Sequence, residues 1–184
     1  MKANDLKPGM AINQDGQLWV VTKTEHVKPG KGGAFVQAKI KSMKYGSVQE
    51  KRYRSTDEVD QVNLDRREME YLYSDGSGAV FMDSESYEQT TLSEAVLGDG
   101  LKYLKPNETI LGLHHEGTPI SIELPQVVEL EVTDAPPGVK NATATSVMKE
   151  ATTETGLVVK VPEFINIGDV IRVNTDTGEY QSRA

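Results

Sequence analysis

Lys28-Pro29-Gly30-Lys31-Gly32-Gly33 stands between two stretches that read as β-strands. The preceding stretch, Leu18-Trp19-Val20-Val21-Thr22-Lys23-Thr24-Glu25-His26-Val27, is rich in β-branched and aromatic residues, which suit a pleated, half-buried surface. In the following one, Ala34, Val36, Ala38 and Ile40 alternate with Phe35, Gln37, Lys39 and Lys41. A period of two turns one set of side chains to a core and the other to water. Two such runs joined by a Gly- and Pro-containing loop make a hairpin. The loop is longer than the two-residue Asn-Gly or Asp-Gly turn of a tight structural hairpin. Gly30, Gly32 and Gly33 leave the backbone bare, so another molecule can approach closely. The tip thus presents Lys31 as an uncrowded cation.

Short strands continue on both sides of the hairpin. Lys7-Pro8-Gly9-Met10 and Asp15-Gly16-Gln17 are turns framing Ala11-Ile12-Asn13, and Tyr45-Gly46-Ser47 turns the chain into a strand at Val48–Arg54. Further strands are expected at Glu68–Tyr73, Ala79–Asp83, Tyr87–Leu92, Thr109–His115 and Thr118–Leu124. The one helical candidate is Ser93–Leu97, with Ser93 as N-cap and Gly98 as stop. Val127–Val132, Leu157–Pro162, Asp169–Val173 and the tail from Gly178 complete the set, and the Thr/Ala-rich stretch from Asn141 to Thr155 reads as loop. The spacing predicts an all-β protein of three small barrels, spanning 1–64, 65–126 and 127–184, the natural type being the five-stranded oligonucleotide-binding barrel.

Charge is divided along the chain. Residues 1–63 hold 11 Lys or Arg against 7 acids, a balance of +4, so the remainder carries −12 of a net charge of −8. A basic end on an acidic body points to local contact with a polyanion, with the rest repelled from unspecific contact. No cysteine is present, which removes disulfides, thiolate zinc sites and cysteine nucleophiles together. No apolar run approaches the ~20 residues that span a bilayer, and Met1–Asp5 leads into no apolar signal core, so a cytoplasmic protein without a membrane partner is expected.

Enzymatic chemistry finds little support. His26, His114 and His115 have no metal-ligand spacing, and adjacent residues of a strand face opposite ways, so His114 and His115 do not ligate together. Asp83 with Glu85, and Glu129 with Glu131, have no evident partner base and are expected on solvated surface. The tip is no P-loop either, because no Ser or Thr follows the lysine and a strand, not a helix, comes next.

The run Val27–Val36 resembles the first-domain tip of the bacterial translation elongation factor P family. The similarity continues through Tyr53–Asp57, Tyr71–Gly76, Val80–Asp83, Pro136–Lys140, Val159–Pro162 and Gly178–Tyr180, in the same order over essentially the full length. The resemblance implies three β-barrels in an L shape, an SH3-like or KOW-type domain followed by two OB-fold domains. It further implies a monomeric, non-enzymatic factor that binds the 70S ribosome beside peptidyl-tRNA and relieves stalling at consecutive prolines. Lys31 would be the tip residue that many members carry with a covalent extension, which makes a Lys31-modifying enzyme a further partner; no other cofactor is implied. Lys28, Pro29, Gly30, Gly32, Gly33, Lys39, Lys41, Tyr180 and Arg183 would contact tRNA or rRNA. Many members have a Gly-rich loop near the mRNA where this chain has Asn141–Met148 without glycine, so that contact is not carried over. The alternatives are the elongation factor P-like paralogue, which has a different tip, and a general RNA- or ribosome-binding module without effect on proline stalling.

Overall fold

The computed structural model describes residues 1–138 and 147–184 of the 184-residue chain. Three curled, five-stranded antiparallel sheets follow one another in sequence. The first contains β1 (Ala11–Gln14), β2 (Gln17–Val27), β3 (Phe35–Ser42), β4 (Val48–Arg54) and β5 (Asp60–Val62), in the order β4-β3-β2-β1-β5. On β3 the expected alternation holds, with Val36, Ala38 and Ile40 buried while Phe35, Gln37 and Lys41 are half-buried and Lys39 is exposed. Ala38 and Ile40 meet Leu6, Ile12, Trp19, Val21, Tyr53 and Val59 in one apolar core. A register shift interrupts the β2–β3 ladder between Val21 and Lys23. Beyond it no residue of β2 is buried, so that strand of the hairpin leaves the core and runs out to the tip.

β6 (Asp65–Asp75), β7 (Gly78–Asp83), β8 (Gln89–Ser93), β9 (Thr109–His115) and β10 (Thr118–Glu123) form the second sheet, ordered β10-β9-β6-β7-β8. Its core holds Met69, Tyr71, Phe81, Leu92, Leu97, Leu104 and Ile110, with the Tyr71 and Phe81 rings 5.5 Å apart in a tilted pair. α1 (Glu94–Leu97) starts where the Ser93 Oγ accepts the Val96 N–H at 3.4 Å and stops at Gly98, whose φ is 55°. The chain then winds on as a 3₁₀ segment, Gly98–Tyr103, for which the sequence offers no periodic signal. β8 starts two residues later than expected, because Tyr87 takes a positive φ of 61° in the turn before it.

The third sheet comprises β11 (Val127–Asp134), β12 (Met148–Thr153), β13 (Val158–Pro162), β14 (Val170–Asn174) and β15 (Tyr180–Arg183), ordered β13-β12-β11-β14-β15. β12 corrects the reading of Asn141–Thr155 as loop throughout. Its inward positions are Lys149, Ala151 and Thr153, too polar to show an apolar alternation. They are tolerated because each polar group is satisfied: Lys149 Nζ donates to the Pro136 carbonyl at 2.8 Å and Thr153 Oγ1 to the Leu157 carbonyl at 3.0 Å. Residues 141–146 of the glycine-poor stretch lie outside the described residues.

Asp83 is the second correction, since it is buried rather than solvated. As the last residue of β7 it accepts the N–H groups of Glu85 at 2.8 Å and Ser86 at 3.0 Å, and Arg67 lies 3.3 Å away. Glu85 is exposed beyond the strand, so the two carboxylates do not share a face. His114 is buried and its neighbour His115 half-buried, as opposite faces of β9 require. Among the described residues no helix is long and apolar enough to cross a membrane.

Neighbouring barrels are joined by direct contacts. Gly46, in the turn after β3, lies against the backbone of Ala95 in α1. Tyr103, from the second unit, is packed among Leu130, Val132 and Ile171 of the third. Lys105 pairs with Glu154 at 3.4 Å, and Thr155 Oγ1 donates to the Lys102 carbonyl.

Candidate nucleic-acid interface

Val27 of β2 pairs with Phe35 of β3, leaving residues 28–34 as the tip. Lys28, Pro29, Gly30, Lys31, Gly32 and Gly33 are all exposed. Gly32 has φ 97°, a left-handed backbone that residues with a Cβ adopt only under strain. A Cβ added at Gly30, Gly32 or Gly33 would meet nothing within 4 Å. Internal packing therefore places no demand on these glycines, and their bareness faces outward. Among the described residues neither Lys28 nor Lys31 takes part in an ion pair.

The other residues singled out by sequence are dispersed. Lys39 is exposed on β3, with Glu50 4.0 Å away. Lys41 is half-buried and turned towards the second barrel, where burial lowers its pKa and Asp99 opposes the shift. It lines a junction cavity of about 610 Å³ to which all three barrels contribute, with Val20, Leu97 and Thr175 among its walls. Tyr180 is half-buried against the core of the third barrel, and the Arg183 guanidinium lies 5.9 Å from the Phe164 ring centre. The hairpin tip and the tail pair thus belong to different barrels.

Sequence reasoning passed over three residues that the fold brings together at the base of the tip. In the β3–β4 register Phe35 pairs with Arg54 and Gln37 with Arg52. The Arg52 guanidinium stacks on the Phe35 ring at 3.7 Å from its centre. Both arginines are exposed, and among the described residues neither has an ion-pair partner. Together with Gly33, Ala34, Ser55, Thr56 and Asp57 they line a cleft of about 660 Å³. The period of two would have found the pair, since Arg52 and Arg54 share one face of β4.

Of the acids near this end, Asp57 and Glu58 are engaged with other groups, while Glu25 is exposed on β2. Asp57 Oδ2 accepts the Arg54 backbone N–H at 2.8 Å. Glu58 receives Lys2 Nζ at 2.6 Å and the N-terminal ammonium at 3.6 Å, and the Lys2 hydrogen bond and charge hold its carboxyl below the usual range. The four exposed cations Lys28, Lys31, Arg52 and Arg54 outnumber Glu25 and make the field at the hairpin end positive.

Family models match along nearly the whole chain: the elongation factor P (EF-P) KOW-like domain over residues 2–59, the elongation factor P (EF-P) OB domain over 64–122, and the elongation factor P C-terminal model over 128–183. Elongation factor P of Pelotomaculum thermopropionicum is 47% identical over 183 residues, covering 100% of this chain and 99% of that protein. Elongation factor P of Moorella thermoacetica is 47% identical over 184 residues, covering 100% of both. Among solved structures, eukaryotic translation initiation factor 5A from Methanococcus jannaschii aligns with a TM-score of 0.48 at 22% identity, covering 67% of this chain and 90% of that one. Three matched domains in one order, with full-length identity to named relatives, make this chain a member of the elongation factor P family of translation elongation factors.

Proposed function

We propose that this elongation factor binds the 70S ribosome beside peptidyl-tRNA, as a cytoplasmic monomer, and speeds peptide-bond formation at consecutive prolines through Lys31. The observation that carries the reading is the tip itself: six exposed residues with three glycines and two lysines that take part in no ion pair among the described residues. Such a finger can enter a narrow space lined by phosphate, where cations position RNA without reading its sequence. Proline has a locked φ and is slow to react, so a factor that holds peptidyl-tRNA in an attack-ready geometry lowers an entropic barrier. This needs no acid–base group on the factor, and the ribosome remains the catalyst. A covalent extension of Lys31 would lengthen the same reach, and intact-protein mass measurement of material from the native host detects it.

The test is a purified translation system with a reporter carrying a polyproline run. Added wild-type protein is expected to shorten the pause, and Lys31→Ala to lose most of that effect while still binding ribosomes. Equal rescue by both proteins would refute the role of the tip. Ribosome binding without any change in pausing would favour a plain ribosome-binding module.

A further inference from the structure

Lys31 leaves the arginine cleft at the base of the hairpin without an assignment. We propose that this cleft binds one unpaired nucleotide of the RNA strand running past the tip, with Arg54 on its phosphate and its base stacked on Arg52. The inference rests on the reading of the tip as an RNA-facing element and adds the class of ligand beside it. Phe35 covers one face of the Arg52 guanidinium at 3.7 Å, while Arg52 as a residue remains exposed. At that distance the guanidinium is within stacking range of the ring, its far side is open to a second flat group, and unpaired bases stack on such planes. Its N–H donors lie in the plane and are not consumed by stacking.

Arg54 pairs in register with Phe35, next to that platform, and is exposed, with its guanidinium in no ion pair among the described residues. An arginine fork of this kind matches a phosphate bidentately. Asp57 also lines the cleft, and one of its carboxylate oxygens is engaged by the Arg54 backbone N–H. At about 660 Å³ the cleft falls within the range of small-ligand sites. A duplex would use only half of this arrangement, because its bases are stacked on one another and offer phosphates alone to an exposed guanidinium. The platform points to an unpaired nucleotide.

Stalled ribosomes carrying a polyproline reporter are titrated with factor, and the concentration for half-maximal relief is read separately from the maximal rate. Arg52→Lys keeps the charge and loses the plane; Phe35→Leu keeps Arg52 and removes its support. Each is expected to raise the half-maximal concentration by about tenfold with the maximal rate unchanged, the size of one base stack. Arg54→Gln is expected to do the same and to flatten the salt dependence of binding. By contrast, Lys31→Ala lowers the maximal rate. If Arg52→Lys and Phe35→Leu titrate as wild type, the stacking platform is overturned; if Arg54→Gln does, the phosphate contact is. Should wild type relieve no pause, the reading of the tip fails, and the same variants are then compared by ribosome co-sedimentation, where equal affinity overturns the cleft and weaker binding supports it.

Discussion

Asp83 holds the turn after β7 through one carboxylate oxygen that accepts two backbone N–H groups. The N–H groups of Ser86 and Glu85 keep its pKa below the usual carboxylate range, with smaller help from Arg67 and His114. A carboxyl whose folded pKa is lowered adds stability above its unfolded value, near ~3.9, and loses it as pH falls through the folded value. Asp83→Asn is therefore expected to lower the melting temperature at pH 7, with the gap to wild type closing as pH drops below about 4. A constant gap across that range would show that packing, not charge, is what Asp83 contributes. Two residue-level readings of the sequence changed for one reason. Asp83 and Lys41 are charged side chains on strands, which normally means solvent. The turn that follows closes over Asp83 through Glu85 and Ser86, and the second barrel covers part of Lys41, so neither side chain stands in open water.

At the scale of elements, the turn after β3 meets α1 backbone to backbone. Gly46 has φ 71°, and a Cβ there would sit 1.7 Å from the Ala95 carbonyl oxygen, so the contact admits no side chain. Gly46→Ala is expected to push the first barrel off the second and to cost about 1–3 kcal/mol beyond the backbone strain. Gly16→Ala supplies the control, because Gly16 has a similar φ of 74° with nothing within 4 Å of an added Cβ. Equal losses in denaturant titrations of the two variants would mean that strain alone matters at position 46. The expected hairpin, the Ser93 cap and the Gly98 stop were all readable, since each depends on residues within a few positions of one another. β12 was not, because its buried positions are satisfied by Pro136 and Leu157, partners that lie outside the strand.

Across the whole molecule, Tyr103 ties the second unit to the third. It is 8% exposed, its hydroxyl lies 3.1 Å from a Cβ built at Gly178, and burial followed by the Asp99 charge raises its pKa. Tyr103→Ala is expected to destabilise the third barrel by about 3 kcal/mol, the usual cost of truncating a buried aromatic. Trp19, the only tryptophan, is buried in the first barrel and reports on that one by fluorescence. Its unfolding midpoint is expected to stay in place while the circular-dichroism transition of the third barrel moves. A matched shift of both signals would show that the barrels unfold as one unit.

Alternation of apolar residues and Gly/Pro punctuation determined the all-β architecture and the exposed lysine hairpin, because strand period and turn chemistry are local properties of the chain. Charge distribution determined which end of the chain is basic. Tertiary structure alone decided that Lys41 belongs to a junction rather than to the open surface, and that the Arg52 guanidinium lies over the Phe35 ring beside Arg54. Those facts depend on cross-strand register and on barrel-to-barrel contact, which join residues that no local pattern connects.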